Sequence, residues 1–313
     1  MIICCGEALI DMLPRKLADG ANVFLPVAGG AIFNTAIALG RLGEQVGFVS
    51  GISTDMFGQQ LIETLEASHV DASHSVRNDQ PTTLAFVRLT DGHASYSFFD
   101  ESSAGRSIRE TDMPEIGTPI AALHFGAISL IGEPCGSAYE AFARRHSATS
   151  VISLDPNIRP GFIKDADAHR ARILRMIAMA DIVKVSDEDL DWIVDDGSQD
   201  GFIANMLETG VSLVLLTRGG DGVVAYSRDG ELHEPALKAD VVDTVGAGDT
   251  FNAGLLSGLN AAGLLSKAAL AKADLAQVQP ALAFANTVAA FVVGQAGCVP
   301  PWRDQLAQPT PSI

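Results

Sequence analysis

The sequence predicts an α/β fold: an open, mostly parallel sheet with helices on both faces and a small antiparallel sheet projecting from it. Three observations predict it. Short apolar runs, often β-branched and not alternating, recur along the chain, as strands buried on both faces of a parallel sheet do. A helical pattern follows each run, which is the strand–helix rhythm of an open α/β sheet. Two stretches break that rhythm and read as half-exposed hairpins.

In chain order, residues 2–5 give the first strand. Residues 12–27 lack a helical period and carry Asp19-Gly20, so they begin the small sheet. A helix at 31–42, a strand at 46–49 and a helix at 57–68 follow. Residues 81–99 alternate, with Asp91-Gly92 at their middle as a hairpin signal; lid strands are placed at about 12–27 and 81–106. The rhythm then resumes, with strands at 121–125, 151–154, 182–185 and 213–216 and helices at 137–145, 166–179, 187–194 and 202–209. Two long apolar helices, 249–259 and 272–293, close the chain. Residues 1–307 read as a single domain and 308–313, Gln-Pro-Thr-Pro-Ser-Ile, as a disordered tail. A projecting sheet beside an α/β crevice makes a natural lid; ordinary surface loops are the alternative.

Composition narrows the function. The chain has 313 residues, 47% of them hydrophobic, enough to bury a large core. With 21 Lys+Arg against 38 Asp+Glu, the net charge is −17, which argues against nucleic-acid and anionic-membrane partners. The N-terminal ten residues lack a basic segment, and Glu7 and Asp11 interrupt the apolar run, so no signal peptide is read there. The longest apolar stretch, 281–293, is shorter than the about 20 residues that cross a bilayer. Cys4, Cys5, Cys135 and Cys298 form no Cys-x-x-Cys pair and read as reduced thiols of a cytoplasmic protein. The seven histidines lack metal-ligand spacing.

The most informative segment is Val241-Val242-Asp243-Thr244-Val245-Gly246-Ala247-Gly248-Asp249-Thr250-Phe251. A β-branched run enters a Gly-rich turn, and a helix follows. Gly246 and Gly248 leave room for an anion against backbone N–H groups at a helix N-terminus. A carboxylate there is unfavourable unless Asp249 takes a proton from a hydroxyl while the amides neutralise a phosphoryl group; a plain helix-capping Asp is the alternative. Phe251 breaks the dinucleotide fingerprint, no Gly-Lys supplies a P-loop, and no Gly-x-Ser-x-Gly elbow occurs. In 28–36, Gly29 and Gly30 open a helix, and Asn34 lies one turn in, with donors and an acceptor for hydroxyls; a tight turn with a buried polar residue is equally open. In Gly6-Glu7-Ala8-Leu9-Ile10-Asp11, Asp11 falls near a strand's C-terminal end, where such sheets bind ligands.

Together these segments resemble the ribokinase-like (PfkB) carbohydrate kinases, and their fructokinase branch in particular. Residues 243–251 look like the family's C-terminal signature. Gly29-Gly30 with Asn34, then Gly40-Arg41-Leu42-Gly43 and 51–58, look like its N-terminal one. The resemblance runs from residue 2 to about 302. It implies a three-layer α/β/α fold and transfer of the γ-phosphoryl of Mg²⁺·ATP to a sugar hydroxyl, with K⁺ as activator, in a cytoplasmic homodimer. By it, Asp249 is the catalytic base, and Gly246, Ala247 and Gly248 form the anion hole. Asp11, Gly29, Gly30, Asn34 and Arg159 hold the sugar, Arg159 alternatively steadying the nucleotide phosphates or forming a structural ion pair. Lys184, Thr217, Gly219 and Asn286 serve the nucleotide, with a snorkelling lysine, a plain turn and a satisfied core amide as the structural alternatives. Asp243, Val245 and the Gly297–Cys298 loop match the monovalent-cation site.

Glu7, the His124–Leu130 segment and Asp155-Pro156-Asn157-Ile158-Arg159-Pro160 look fructokinase-like, so D-fructose is the expected acceptor. A 2-keto-3-deoxygluconate kinase or a ribokinase is the alternative within the family. A non-catalytic sugar- or nucleotide-binding protein is the alternative outside it, and a nicotinamide dehydrogenase is disfavoured by Phe251. Two departures from the family pattern stand out. Ser186-Asp187-Glu188-Asp189 replaces Asn-x-x-Glu, leaving Asp189 to orient magnesium waters, and Gly105 replaces a lid Asp.

Overall fold

The computed structural model describes residues 1–90, 93–195 and 197–306. All six predicted strands of the main sheet are present: Ile2–Cys5, Val46–Val49, Ala122–Gly126, Val151–Asp155, Ile182–Ser186 and Leu213–Thr217. They lie parallel in the order 213–217, 182–186, 151–155, 122–126, 2–5, 46–49, and the short Val70–Asp71 strand closes that edge. Alternation within each strand explains its apolar sequence. Ile2 and Cys4 enter one core cluster with residues of the Ala31–Arg41, Ala247–Ala261 and Leu275–Val293 helices. Ile3 and Cys5 enter a second, with residues of Cys135–His146, Ala166–Ile177, Asp187–Val194 and Gln199–Thr209. Both faces are therefore covered, and the architecture has three layers.

From Ile2–Cys5 the chain first builds outward to Val70–Asp71. It then returns to Ala122–Gly126 and builds out on the other side. Strand order reverses between 2–5 and 122–126, and the C-terminal strand ends at such a switch point form the ligand crevice.

The small sheet has the strand order Asn22–Gly29, Leu9–Lys16, Leu84–Thr90, His93–Phe99. Its outer pairs are antiparallel hairpins, joined by a short parallel pairing of Ile10–Met12 with Leu84–Phe86. It starts at Leu9, so Asp11 belongs to the lid and not to the first strand of the main sheet. Asp91-Gly92 and the tail 308–313 lie outside the described residues.

Three features go beyond the sequence reading. The β-branched run at 241–245 is not in a strand: Val241, Val242 and Val245 are exposed, and the stretch is tied down by Val242 N–H donating to Val293 O at 2.8 Å. The last helix begins at Leu275 rather than 272, because Asp274 and Gln277 form a reciprocal capping box and the preceding turn, Lys267–Leu270, is separate. The sheet also continues into an unpredicted antiparallel edge hairpin, Val223–Ser227 with Gly230–Glu234. The Leu275–Val293 helix is long and apolar enough to span a bilayer by length and composition. Here it packs on Ala247–Ala261, so closely that a Cβ on Gly254 would lie 2.7 Å from Ala285 Cα, and one on Gly258 2.7 Å from Ala281 Cα.

Candidate active site

Two helix N-termini face each other across the switch point. The Ala247–Ala261 helix starts at Gly246, which has φ 81° and contributes no capping side chain. Among the described residues, neither the Gly248 nor the Asp249 amide is spent on a hydrogen bond within the fold, whereas Ala247 N–H closes a turn onto Thr244 O at 3.3 Å. Open amides at the positive end of a helix favour an anion. Glycine is required at 246 twice over: its φ is left-handed, and a side chain there would run into the Cys298 thiol. Asp249, in the same first turn, is buried, and its Oδ2 accepts from Asn34 Nδ2 at 2.9 Å. Thr35 Oγ1 donates to the Asp249 carbonyl at 3.0 Å.

The opposing helix, Ala31–Arg41, starts at Gly30, with φ 112°. Its end is not open. Glu7 Oε1 accepts from the Ala31 and Ile32 amides at 2.8 and 3.4 Å, while Glu7 Oε2 is buried without a hydrogen-bond partner among the described residues. Asp11 reaches the same spot from the lid: its Oδ2 lies where a side chain on Gly29 would stand. Burial, then the neighbouring Asp249 charge, pushes the Asp11 carboxyl up to about 6. Burial likewise pushes Asp249 up to about 6 against the opposing Asn34 hydrogen bond, and Glu7 up to about 7 against its backbone hydrogen bonds.

Behind Asp249 the strand ends supply charge. Asp155 Oδ2 accepts from Lys184 Nζ at 3.0 Å and from Asn252 Nδ2 at 2.7 Å, and all three residues are buried. Burial works against the Lys184 ammonium, but the carboxylates of Asp155, Asp189 and Asp249 together hold its pKa above the usual value. Arg159 is exposed, donates to Ile158 O at 3.0 Å, and lies within electrostatic reach of Asp249. A narrow gap is lined by Asp249, Asp155, Asn252, Asn157, Thr35 and His124. Asn157 borders it with φ 43°, a left-handed conformation uncommon for a residue with a side chain.

The remaining predicted residues divide. Asp243 brings two loops together: its carboxylate accepts from Val245 N–H at 3.1 Å and Gly297 N–H at 3.0 Å. Thr217 and Gly219 sit at the end of the strand beside Lys184; Thr217 Oγ1 donates to Val185 O at 3.3 Å, and Arg218 N–H closes the turn onto Gly222 O at 2.8 Å. Asn286 stands apart, its amide donating to Pro235 O at 2.9 Å, as the core-amide alternative has it. Asp189 is buried, with Oδ1 accepting from Ile158 N–H at 2.8 Å and Oδ2 from Ser186 N–H at 3.4 Å, and it braces the Asp155–Arg159 turn.

Sequence reasoning gave no role to Glu7, Asp155 or Asn252. Asn252 carried a signal, since it lies three residues beyond Asp249 on the same helix face. Between the lid end and the body is a cavity of about 1010 Å³, lined by Phe98, Ser103, Arg106, Ile128, Phe162 and His169 among others, but not by Asp11 or Asp249. Phe98 packs edge-on against Phe162 at 4.1 Å, and Glu101 pairs with Lys164 at 2.8 Å, so the lid touches the body there.

The profile of pfkB family carbohydrate kinases matches residues 1–305. A fructokinase of Rhizobium leguminosarum bv. trifolii is 55% identical over 274 residues, covering 88% of this chain and 84% of that relative. The fold superposes on the crystal structure of a Xylella fastidiosa fructokinase with bound ATP at a TM-score of 0.90 and 30% identity, covering 98% of this chain and 96% of that one. A Vibrio cholerae O395 fructokinase in a fructose-, ADP- and calcium-bound form superposes at a TM-score of 0.82 and 26% identity, covering 95% and 94%.

Proposed function

The chain belongs to the pfkB family of carbohydrate kinases, and on that premise we propose that it transfers the γ-phosphoryl group of ATP to D-fructose, giving fructose 6-phosphate and ADP. One observation carries the chemistry: a buried carboxylate, Asp249, stands in the first turn of an uncapped helix whose amides are open. In this reading Asp249 removes the proton of the 6-hydroxyl. The hydroxyl oxygen attacks the γ-phosphorus, the bond to the β,γ-bridging oxygen breaks, and ADP leaves with that electron pair. The open Gly248 and Asp249 amides, at the turn that Gly246 and Ala247 shape, and the Lys184 ammonium stabilise the transferring group. Asp11 and Asn34 orient the sugar over Gly29 and Gly30, and the lid excludes water that would otherwise be phosphorylated. Arg159 and the Thr217–Gly219 turn face the nucleotide phosphates.

The divalent ion enters as part of the Mg²⁺·ATP substrate. Phosphate oxygens and water would hold that ion, as is usual for Mg²⁺ in kinase sites, with Asp189 orienting its waters. We place a potassium ion at the joined loops of Asp243, Val245 and Gly297. The enzyme is read as a cytoplasmic homodimer, with residues 1–307 as one kinase unit.

An ADP-release assay with Mg²⁺·ATP and K⁺ tests the reading against fructose, ribose, 2-keto-3-deoxygluconate, tagatose 6-phosphate and adenosine. Fructose is the expected substrate, and Asp249→Asn is expected to lower kcat about 10²–10⁴-fold in a folded protein. Preference for 2-keto-3-deoxygluconate would move the chain to the acid-sugar kinases. Near-normal turnover by folded Asp249→Asn would remove Asp249 from the role of base.

A further inference from the structure

Lys184 and Asn252 converge on one oxygen of Asp155 at 3.0 and 2.7 Å, and none of the three has appreciable exposure. On its other side the ammonium abuts the phosphoryl turn: a Cβ built on Gly248 would lie 3.1 Å from Lys184 Nζ. An ammonium on a four-carbon stem is mobile unless something holds it. Here the Asp155 charge holds the ammonium, and the Asn252 amide holds the carboxylate. Asn252 and Asp249 are three residues apart on one helix, so the network and the base share a rigid support. Asp155 Oδ1 has no hydrogen-bond partner among the described residues and borders the gap next to Asp249.

We propose that Asp155, oriented by Asn252, is a positioning residue that fixes the Lys184 ammonium against the phosphoryl turn and thereby links nucleotide binding to the sugar-side base. The proposal rests on the kinase reading above. The field at Asp249 makes it testable. The groups that act on Asp249 are the carboxylates of Asp155, Asp11 and Glu7, the Cys298 thiol, the Lys184 and Arg159 cations and the Asn34 amide. Asp155 raises the proton affinity of Asp249 and Lys184 lowers it. Removing one charge at a time therefore moves the base in opposite directions.

The experiment pairs ADP binding by calorimetry with the pH dependence of kcat. Asp155→Asn is expected to weaken ADP binding about tenfold or more, the scale of a lost charge-assisted hydrogen bond. The fructose KM should stay within about twofold. The acid limb of kcat should move to lower pH in Asp155→Asn and to higher pH in Lys184→Met. Asn252→Ala leaves every charge in place, so it should weaken ADP binding less and leave the acid limb where it was. Unchanged ADP affinity in folded Asp155→Asn, with only a lower Tm, would reduce the network to a core ion pair and overturn the proposal. If Asp155→Asn does not fold, unchanged ADP affinity in Asn252→Ala overturns it instead. ADP binding needs no sugar, so a wild type that fails to phosphorylate fructose would overturn the functional reading while the affinities still decide the network.

Discussion

Three carboxylates in this site titrate near neutrality, because burial disfavours their charged forms before anything else acts. Asp249 and Asp11 are pushed up to about 6, and the proposed mechanism needs both ionised, one to accept a proton and one to accept sugar hydroxyls. They also repel each other, so the pair titrates as a unit. The logarithm of kcat/KM for fructose should then fall with a slope approaching two as pH drops below about 6, and Asp11→Asn should reduce that slope to one; a slope of one in the wild type would sink the shared requirement. Glu7 is different, because its carboxylate caps a helix and leaves Oε2 without a hydrogen-bond partner among the described residues. Its carboxyl, pushed up to about 7 from an ordinary 4.5, binds a proton more tightly in the folded chain than in the unfolded one. Its stabilising contribution is therefore complete below about pH 4.5 and is lost as pH rises through about 7. Glu7→Gln keeps the oxygen that accepts the Ala31 amide and removes the titration. Its stability relative to wild type should rise between about pH 5 and about pH 8, by at most about 3 kcal/mol. A difference in Tm that ignores pH would show that Glu7 does not titrate there.

At the scale of elements, the site is a junction: the Leu9–Lys16 and Asn22–Gly29 hairpin delivers Asp11 onto Gly29, and Gly30 opens the helix that carries Asn34. A Cβ at 29 meets only the far end of the Asp11 side chain and Leu9 Cδ1, not backbone. Gly29→Ala should therefore fold with near-normal Tm, turn Asp11 aside and raise the fructose KM about tenfold or more, with the ATP KM unchanged. Equal losses for both substrates would mean that the whole junction had moved. The same elements explain what the sequence disclosed. Strands buried on both faces had to be apolar throughout, so 2–5, 46–49 and 213–217 were legible from their runs alone. The edge hairpin was not, because Gly230–Glu234 is half exposed; only Asp229-Gly230, with Gly230 at φ 126°, marked it. In the site, Asp249, Asn34 and the glycines were legible because glycine at a helix start leaves a local pattern. Asp155 and Asn252 stand 97 residues apart, and Glu7 and Ala31 24 apart, so their partnerships exist only once the strand ends and helix starts have converged.

At the scale of the whole molecule, the small sheet presents an exposed aromatic face. On the lid, Asp11, Ala85 and Phe98 form one row across the strands, and Phe98 in it packs on the body at Phe162. The pleat puts Phe24, Phe86 and Phe99 on the other face, edge to face at 5.1 and 5.5 Å, with Phe24 47% and Phe99 62% exposed. A net charge of −17 keeps copies apart in general, so an uncharged aromatic strip is where two of them can meet. A strip that meets its own copy about a two-fold axis needs no second surface, and the pairing would stiffen a sheet that otherwise touches the body mainly at its roots and at the Phe98–Phe162 and Glu101–Lys164 contacts. The wild type should sediment as a dimer, and Phe24→Asp with Phe99→Asp should sediment as a monomer with the Tm of the body retained. Because the proposed mechanism closes the lid over the sugar at each turnover, the monomer should show a raised fructose KM and more ATP hydrolysis without sugar, while ADP binding at the distant strand ends stays as it was. A monomeric wild type would assign the strip to the lid's own closure, and a dimer that survives both substitutions would place the interface elsewhere.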